Sequence, residues 1–162
     1  MQARLALIAA LLVATAPACA SDHRAATTGA PAVPANRIVG MWNNDSAVGP
    51  CGGEAVMNGH NTVIFIAGGT LVDNPRAPAG TPTQRSIGMG TWSYNPATGK
   101  YFQRVHFYWF VNGDYDGYQT VDRTFLVSND GNQLSGPVTT IRYNADGSVR
   151  ANLCGSAVST RL

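Results

Sequence analysis

The chain has 162 residues, enough for one domain with a substantial core, and a formal net charge of +2. Only 12% of its residues are charged and the basic ones are not clustered, which argues against nucleic acid or an anionic membrane surface as partner. Ten Arg and one Lys stand against eight Asp and one Glu, beside 18 Gly, 9 Pro and 12 Asn. Glu and Lys are the usual filler of exposed helix faces, so their scarcity excludes most helical folds and fits a turn-rich, all-β chain.

Residues 1–20 read as an export signal. Arg4 supplies the positive start, and Leu5 to Ala16 is an apolar run too short for a stable membrane anchor. Ala18-Cys19-Ala20 is an Ala-x-Ala cleavage pattern that leaves Ser21 as the first mature residue. A competing reading makes Cys19 the lipidated cysteine of a bacterial lipoprotein, although Ala16 stands where that motif usually has Leu and Pro17 follows. Either way the product is exported, to the periplasm or beyond. Residues 21–36 are rich in Ala, Thr and Pro without hydrophobic periodicity, the composition of a disordered spacer. The folded domain is expected over 37–162.

Ile38 to Trp42 reads as a first short strand, and Asn43 to His60 as a polar, Gly-rich loop carrying Cys51. Asn44-Asp45-Ser46 matches a glycosylation sequon, relevant only in a eukaryotic secretory route. Thr62 to Ile66 and Thr70 to Val72 are strands about an Ala67-Gly68-Gly69 turn. Asp73 to Arg85, with three Pro and one Gly, reads as a long loop. Ile87 to Tyr94 is a fourth strand, whose Gly88 and Gly90 share a face where the sheet can bend or another chain can pack.

The strongest signal in the chain comes next. Two long aromatic and β-branched runs, Tyr101 to Val111 and Tyr115 to Val127, flank Asn112-Gly113, a pair favoured in tight hairpins. Arms about 35 Å long, at about 3.3 Å per residue, need curvature and neighbours. In the first arm Tyr101, Gln103, Val105, Phe107, Trp109 and Val111 form the more apolar face and read as core. The opposite face interleaves aromatics with Arg104 and His106. Gln133 to Tyr143 is a further strand with Gly136-Pro137 as the place for a break, Val149 to Leu153 another, and Ala157 to Arg161 a last short one. Short turns join consecutive strands, so the predicted fold is a single antiparallel up-and-down barrel of about eight strands in meander order, with an open sandwich as the alternative.

With Cys19 removed, Cys51 and Cys154 are the two cysteines left, and an exported chain with two predicts one disulfide between them. As metal ligands they lack the further Cys or His a site needs. Asn112-x-Asp114-x-Asp116-Gly117 imitates the first half of a calcium loop, but Arg123 stands where the bidentate Glu belongs, which favours a polar turn. Arg104, His106, Tyr108 and Asp122 could cluster across the hairpin. Without an elbow serine or a His-Glu-x-x-His motif, cross-strand pairing of Arg104 with Asp122 is favoured over catalysis. The chain is therefore expected to act without catalysis, cofactor or metal.

Gly40-x-Trp42 on the first strand after an export signal, with Gly90-Thr91-Trp92 later in the meander, resembles the lipocalin/calycin group. The resemblance implies an eight-stranded barrel with an internal cavity for a small, mostly apolar ligand. It also implies an Arg packed over the first Trp, for which Arg161 is the matching position. Trp42, Phe107 and Trp109 are the ligand contacts expected in such a barrel. The group's second motif has no clear counterpart here, and its C-terminal helix is missing. The small exported barrels that inhibit bacterial metalloproteases are similar in Gly-x-Trp and a single disulfide, but their cysteines lie close in sequence. Small-ligand binding is thus the preferred function. The rival is a protein-facing role through the 43–60 and 73–85 loops.

Overall fold

The structure, a computed structural model, describes residues 34–76 and 81–162. The expected export signal, Cys19 and most of the expected spacer fall outside the described residues. The first described element is a 3-10 turn, Pro34–Ile38, so the last spacer residues already belong to it. Nine strands follow: β1 (Gly40–Pro50), β2 (Met57–Ile66), β3 (Thr70–Pro75), β4 (Thr83–Arg85), β5 (Gly88–Asn95), β6 (Lys100–Val111), β7 (Asp114–Val127), β8 (Gln133–Tyr143) and β9 (Val149–Arg161).

All described pairings are antiparallel. Eight strands run in the order β6-β5-β3-β2-β1-β9-β8-β7, and the β6–β7 pairing closes the ring. The ninth, β4, lies outside the ring against the end of β6, where Arg85 pairs with Trp109. The result is the closed meander barrel that the strand count and turn spacing predict, not a sandwich. Asn112-Gly113 is a two-residue hairpin with both residues at positive φ, 52° and 92°, as its sequence demands.

Two predicted loops are corrected. The stretch 43–60 is mostly strand: β1 and β2 pair from Gly40↔Phe65 to Val48↔Met57, leaving only a short tip. Its polar residues misled because they alternate, with Trp42 and Asn44 turned inward and their neighbours outward. The stretch 73–85 begins inside β3 and ends in β4, and residues 77–80 are outside the described set. At the other end β9 is one continuous strand, not two short pieces.

The β6 face expected to be core is the inner one: Tyr101, Gln103, Val105 and Phe107 are buried. Tyr101, Val105 and Phe107 join Ile38, Trp42, Phe65, Leu71, Trp92, Phe125 and Leu134 in a core filling the half of the barrel nearest the 3-10 turn. Its rings touch directly: Tyr101 stacks on Phe125 at 5.5 Å, and Phe65 meets Trp92 edge-on at 6.4 Å. At Gly90 a Cβ would lie 1.9 Å from the Arg104 carbonyl oxygen, so this glycine lets β6 bend tightly over β5.

Trp42 is fully buried and its indole N–H donates to the Ile38 carbonyl at 2.7 Å. The Arg161 guanidinium lies over the Trp42 ring, 4.2 Å from its centroid, and donates to the carbonyls of Gly131, Val39 and Arg37. This is the arrangement the resemblance implies, and the barrel is compatible with it. Gly40 sits at φ 131°, and a Cβ there would lie 3.2 Å from Arg161 Nη1. The glycine of Gly-x-Trp therefore makes room for the arginine as well as for the backbone turn.

Cys51 and Cys154 are bonded, with Cα atoms 4.7 Å apart at a sequence separation of 103. The bond ties the tip of the β1–β2 hairpin to β9. Closing a loop of about 100 residues is worth about 4.7 kcal/mol in the chain-entropy model. In urea unfolding, Cys51→Ser is expected to lower stability by about 2–5 kcal/mol. Arg161→Lys keeps the charge but loses the planar fork, and is expected to cost about 1–3 kcal/mol. An unchanged midpoint for either variant would contradict these roles.

Candidate functional site

Above the aromatic core the barrel is hollow. A cavity of about 220 Å³ is bounded by residues of β1, β2, β3, β4, β6, β7, β8 and β9. A second hollow at the same end, about 380 Å³, shares Met57, Trp109 and Gln119 with it and is bordered by Asp116, Arg142 and Arg150. The strand ends that frame this half are joined by the tips at 51–56, 112–113 and 144–148.

The floor is Arg123, 2% exposed, whose guanidinium lies 4.9 Å above the Phe125 ring. Alternation places it there: Val121, Arg123 and Phe125 share the inward face of β7. Its Nη1 donates to Asn44 Oδ1 at 3.0 Å and Ser159 Oγ at 2.8 Å. Its Nη2 donates to the Leu134 and Ala157 carbonyls at 3.1 and 2.8 Å. None of these acceptors is a carboxylate. Burial pushes the Arg123 guanidinium down to about 10, still well above neutrality, so the group is a charged cation inside the barrel at pH 7.

A polar chain climbs the wall from this floor. Asn44 Nδ2 donates to Asn61 Oδ1 at 2.8 Å, Asn61 Nδ2 to Asp73 Oδ1 at 2.5 Å, and Arg85 Nη2 to the same Asp73 oxygen at 3.0 Å. Arg85 and Asp73 form a buried ion pair, with side chains 13% and 9% exposed. The Arg85 guanidinium also lies 4.3 Å over the Phe107 ring. Across the hollow, Arg142 covers Trp109 at the same distance, 4.3 Å, and shares Asp116 with Arg150. Burial lowers the Arg142 pKa and Arg150 adds to this, while Asp116 pulls it back up. The Trp109 indole N–H donates to Gln119 Oε1 at 2.9 Å, and Gln119 Nε2 to Thr140 Oγ1 at 2.6 Å. Both cavity aromatics are thus held in fixed orientations.

The residues singled out from the sequence divide cleanly. Phe107 and Trp109 line the cavity. Trp42 does not: it lies in the closed half under Arg161, with no exposed surface. The wall is also more polar than the resemblance implies, because Asn44, Asn61, Asp73, Arg85 and Arg123 belong to it. Asn44, the asparagine of the sequon, is buried and fully engaged, so its amide is not available to an attached sugar in the folded protein. Arg104 and Asp122 form a bidentate pair on the outer face, at 2.7 and 2.6 Å, as expected for cross-strand partners. His106 stands beside them between Tyr108 and Tyr118, at 5.0 and 5.1 Å, away from the cavity. Asp116, part of the calcium-like sequence, is committed to Arg142 and Arg150.

Comparison with protein-family models, with curated proteins and with solved structures finds no match for this chain. The functional reading therefore stands on the geometry of the barrel.

The Asp73–Arg85 pair offers a direct check of this geometry. Asp73→Ala or Arg85→Ala alone strands a buried partner and is expected to cost about 3–5 kcal/mol. The double variant Asp73→Leu/Arg85→Met should recover most of that loss, because two apolar side chains replace two desolvated charges. A double variant as unstable as the sum of the singles would show that the pair acts through something other than mutual compensation.

Proposed function

We propose that this protein is an exported, non-enzymatic barrel that binds one small ligand inside its open half. The observation that carries the reading is the cavity of about 220 Å³ beside an otherwise filled core, with Phe107 and Trp109 in its wall. An apolar cavity of about 150 Å³ is enough for benzene, so this one suits a single substituted ring or a molecule of similar size. Two large rings held in place by their hydrogen-bond and guanidinium partners offer a guest contact area at little entropic cost. Binding without turnover rests on the sequence, which has no elbow serine and no His-Glu-x-x-His motif; His106 lies on the outer face beside the Arg104–Asp122 pair, and His60 at the cavity pairs with Asp45 at 2.5 Å. The Cys51–Cys154 disulfide supports an oxidising, exported setting.

A protein-facing role is the second reading. It is favoured by exposed apolar side chains at the open end and its flank, Val56, Ile87 and Met89, and by Tyr108 and Tyr115 on the outer face. It would use these surfaces in place of the two long loops first expected, since those stretches are largely strand.

Titration with small aromatic guests should change tryptophan fluorescence saturably, and Trp109→Ala should weaken that binding at least about tenfold, the equivalent of about 1.4 kcal/mol of lost contact. A featureless titration across the series would reject the cavity reading and favour the protein-facing one. Export is tested separately by intact mass of protein from the producing cell: a chain starting at Ser21 is expected, and a diacylglycerol adduct on Cys19 would replace free export with a lipid anchor.

A further inference from the structure

The charges that line the hollow do not balance. Arg85 and Arg123 stand against Asp73 in the cavity wall, and Arg142 and Arg150 against Asp116 in the adjoining hollow that shares Met57, Trp109 and Gln119 with it, four guanidinium groups against two carboxylates. The imbalance is greatest at the floor, where Arg123 is bound only by neutral acceptors. Unpaired buried cations are costly, and proteins that keep one normally supply a counter-charge. Among the described residues three guanidinium nitrogens on these walls are buried without a hydrogen-bond partner: Arg85 Nη1, Arg123 Nε and Arg142 Nε. Buried donors of this kind are uncommon and call for an explanation. Phe107, Trp109, Val121 and Val138 line the same space beside neutral polar side chains, Asn44, Asn61, Gln119 and Thr140 among them.

We infer that the ligand is a small organic anion, a single-ring aromatic carboxylate, whose ring lies against Phe107 and Trp109 and whose carboxylate supplies the missing negative charge to the arginines of the cavity wall. This rests on the ligand-binding reading above and specifies its chemical class. A carboxylate suits the site because guanidinium forks bind it through paired, charge-assisted hydrogen bonds. The stacking of Arg85 on Phe107 and of Arg142 on Trp109 leaves each fork pre-oriented, so little side-chain freedom is lost on binding. The size fits as well: the cavity holds one ring with a short substituent.

The test compares acids with their neutral isosteres on the protein expressed from the full chain. Benzoate, 4-hydroxybenzoate and phenylacetate are titrated beside benzamide, 4-hydroxybenzamide and phenylacetamide, by calorimetry and tryptophan fluorescence. The acids are expected to bind at least about tenfold tighter than the amides, as a charge-assisted contact in a buried site implies. In Arg123→Met that preference should shrink to within about twofold. Because Arg123 also organises the floor, Arg142→Met serves as the second variant, since Asp116 keeps Arg150 as partner, and it too should reduce the preference. Amides that bind as tightly as acids would overturn the anion inference while leaving ligand binding intact. No saturable response from either set would overturn both.

Discussion

A buried, uncompensated cation governs the interior of this barrel. Desolvating a guanidinium costs several kcal/mol even after relaxation, so Arg123 must be surrounded by acceptors if the chain is to fold. It takes four, two from side chains and two from strand carbonyls. Those demands propagate. Asn44 Oδ1 accepts from both Arg123 and Ser159, so its amide nitrogen must donate elsewhere, and it donates to Asn61. Asn61 then has its own nitrogen to place, which goes to Asp73, and Asp73 as a buried carboxylate requires Arg85. One charge on β7 thereby fixes polar residues on β9, β1, β2, β3 and β4. A network of this kind is valuable only when complete, because each half-satisfied member would carry the full cost of its burial.

The same network explains why the barrel is filled at one end and hollow at the other. An eight-stranded barrel has room for packed side chains or for one small guest. Below Arg123 the inward positions are Phe65, Trp92, Tyr101 and Phe125, whose rings fill the space. Above it they are Asn44, Asn61 and Gln119, shorter and committed to fixed hydrogen bonds along the wall. Such side chains cannot swing inward to fill a void without breaking bonds that have no replacement. Phe107 and Trp109 are similarly prevented from collapsing into the centre, the first by Arg85 and the second by Arg142 and Gln119. The cavity is a consequence of polar commitments at its rim and floor, not of missing bulk.

Much of the architecture was legible because it depends on patterns of period two. The Tyr101–Val111 alternation placed Phe107 and Trp109 inward, Asn112-Gly113 fixed the hairpin, and the Gly40-x-Trp42 pair with Arg161 anticipated the clamp at the closed end. The polar belt was not legible for the same reason that it is unusual. Asn44, Asp73 and Arg85 stand in stretches whose composition reads as loop, whereas they lie on strands and face the interior of the barrel. In the sequence Arg123 stands out only as the wrong residue for a calcium loop. The available signal is its place between Val121 and Phe125 on a strand whose alternate residues are buried: a charged residue at an inward position is a demand for partners, and one of them, Asn44, lies in a stretch whose composition reads as loop. Trp42 shows the opposite error. Its aromatic character reads as a ligand contact, while its place between the 3-10 turn and Arg161 makes it a plug.

The two ends of the barrel face different mechanical problems, and the chain solves them by different chemistry. Ring closure depends on β1 pairing with β9, the first and last strands, from Trp42↔Arg161 to Pro50↔Leu153. Such a pairing has the largest sequence separation the fold can offer, and its loop-closure entropy is not offset by local contacts. At the closed end the seam is held by packing: Arg161 lies over a buried Trp42 and binds carbonyls of the entering chain and of the β8 turn. At the open end no such core is available, because filling that end would remove the cavity. There the seam is held by the covalent bond between Cys51 and Cys154, which needs no interior volume. A disulfide at this position lets the barrel keep a hollow end without leaving its terminal strands free to part. It follows that the disulfide and the cavity belong to one design: a chain that filled its open half with aromatics, as it fills the closed half, would have far less use for the bond.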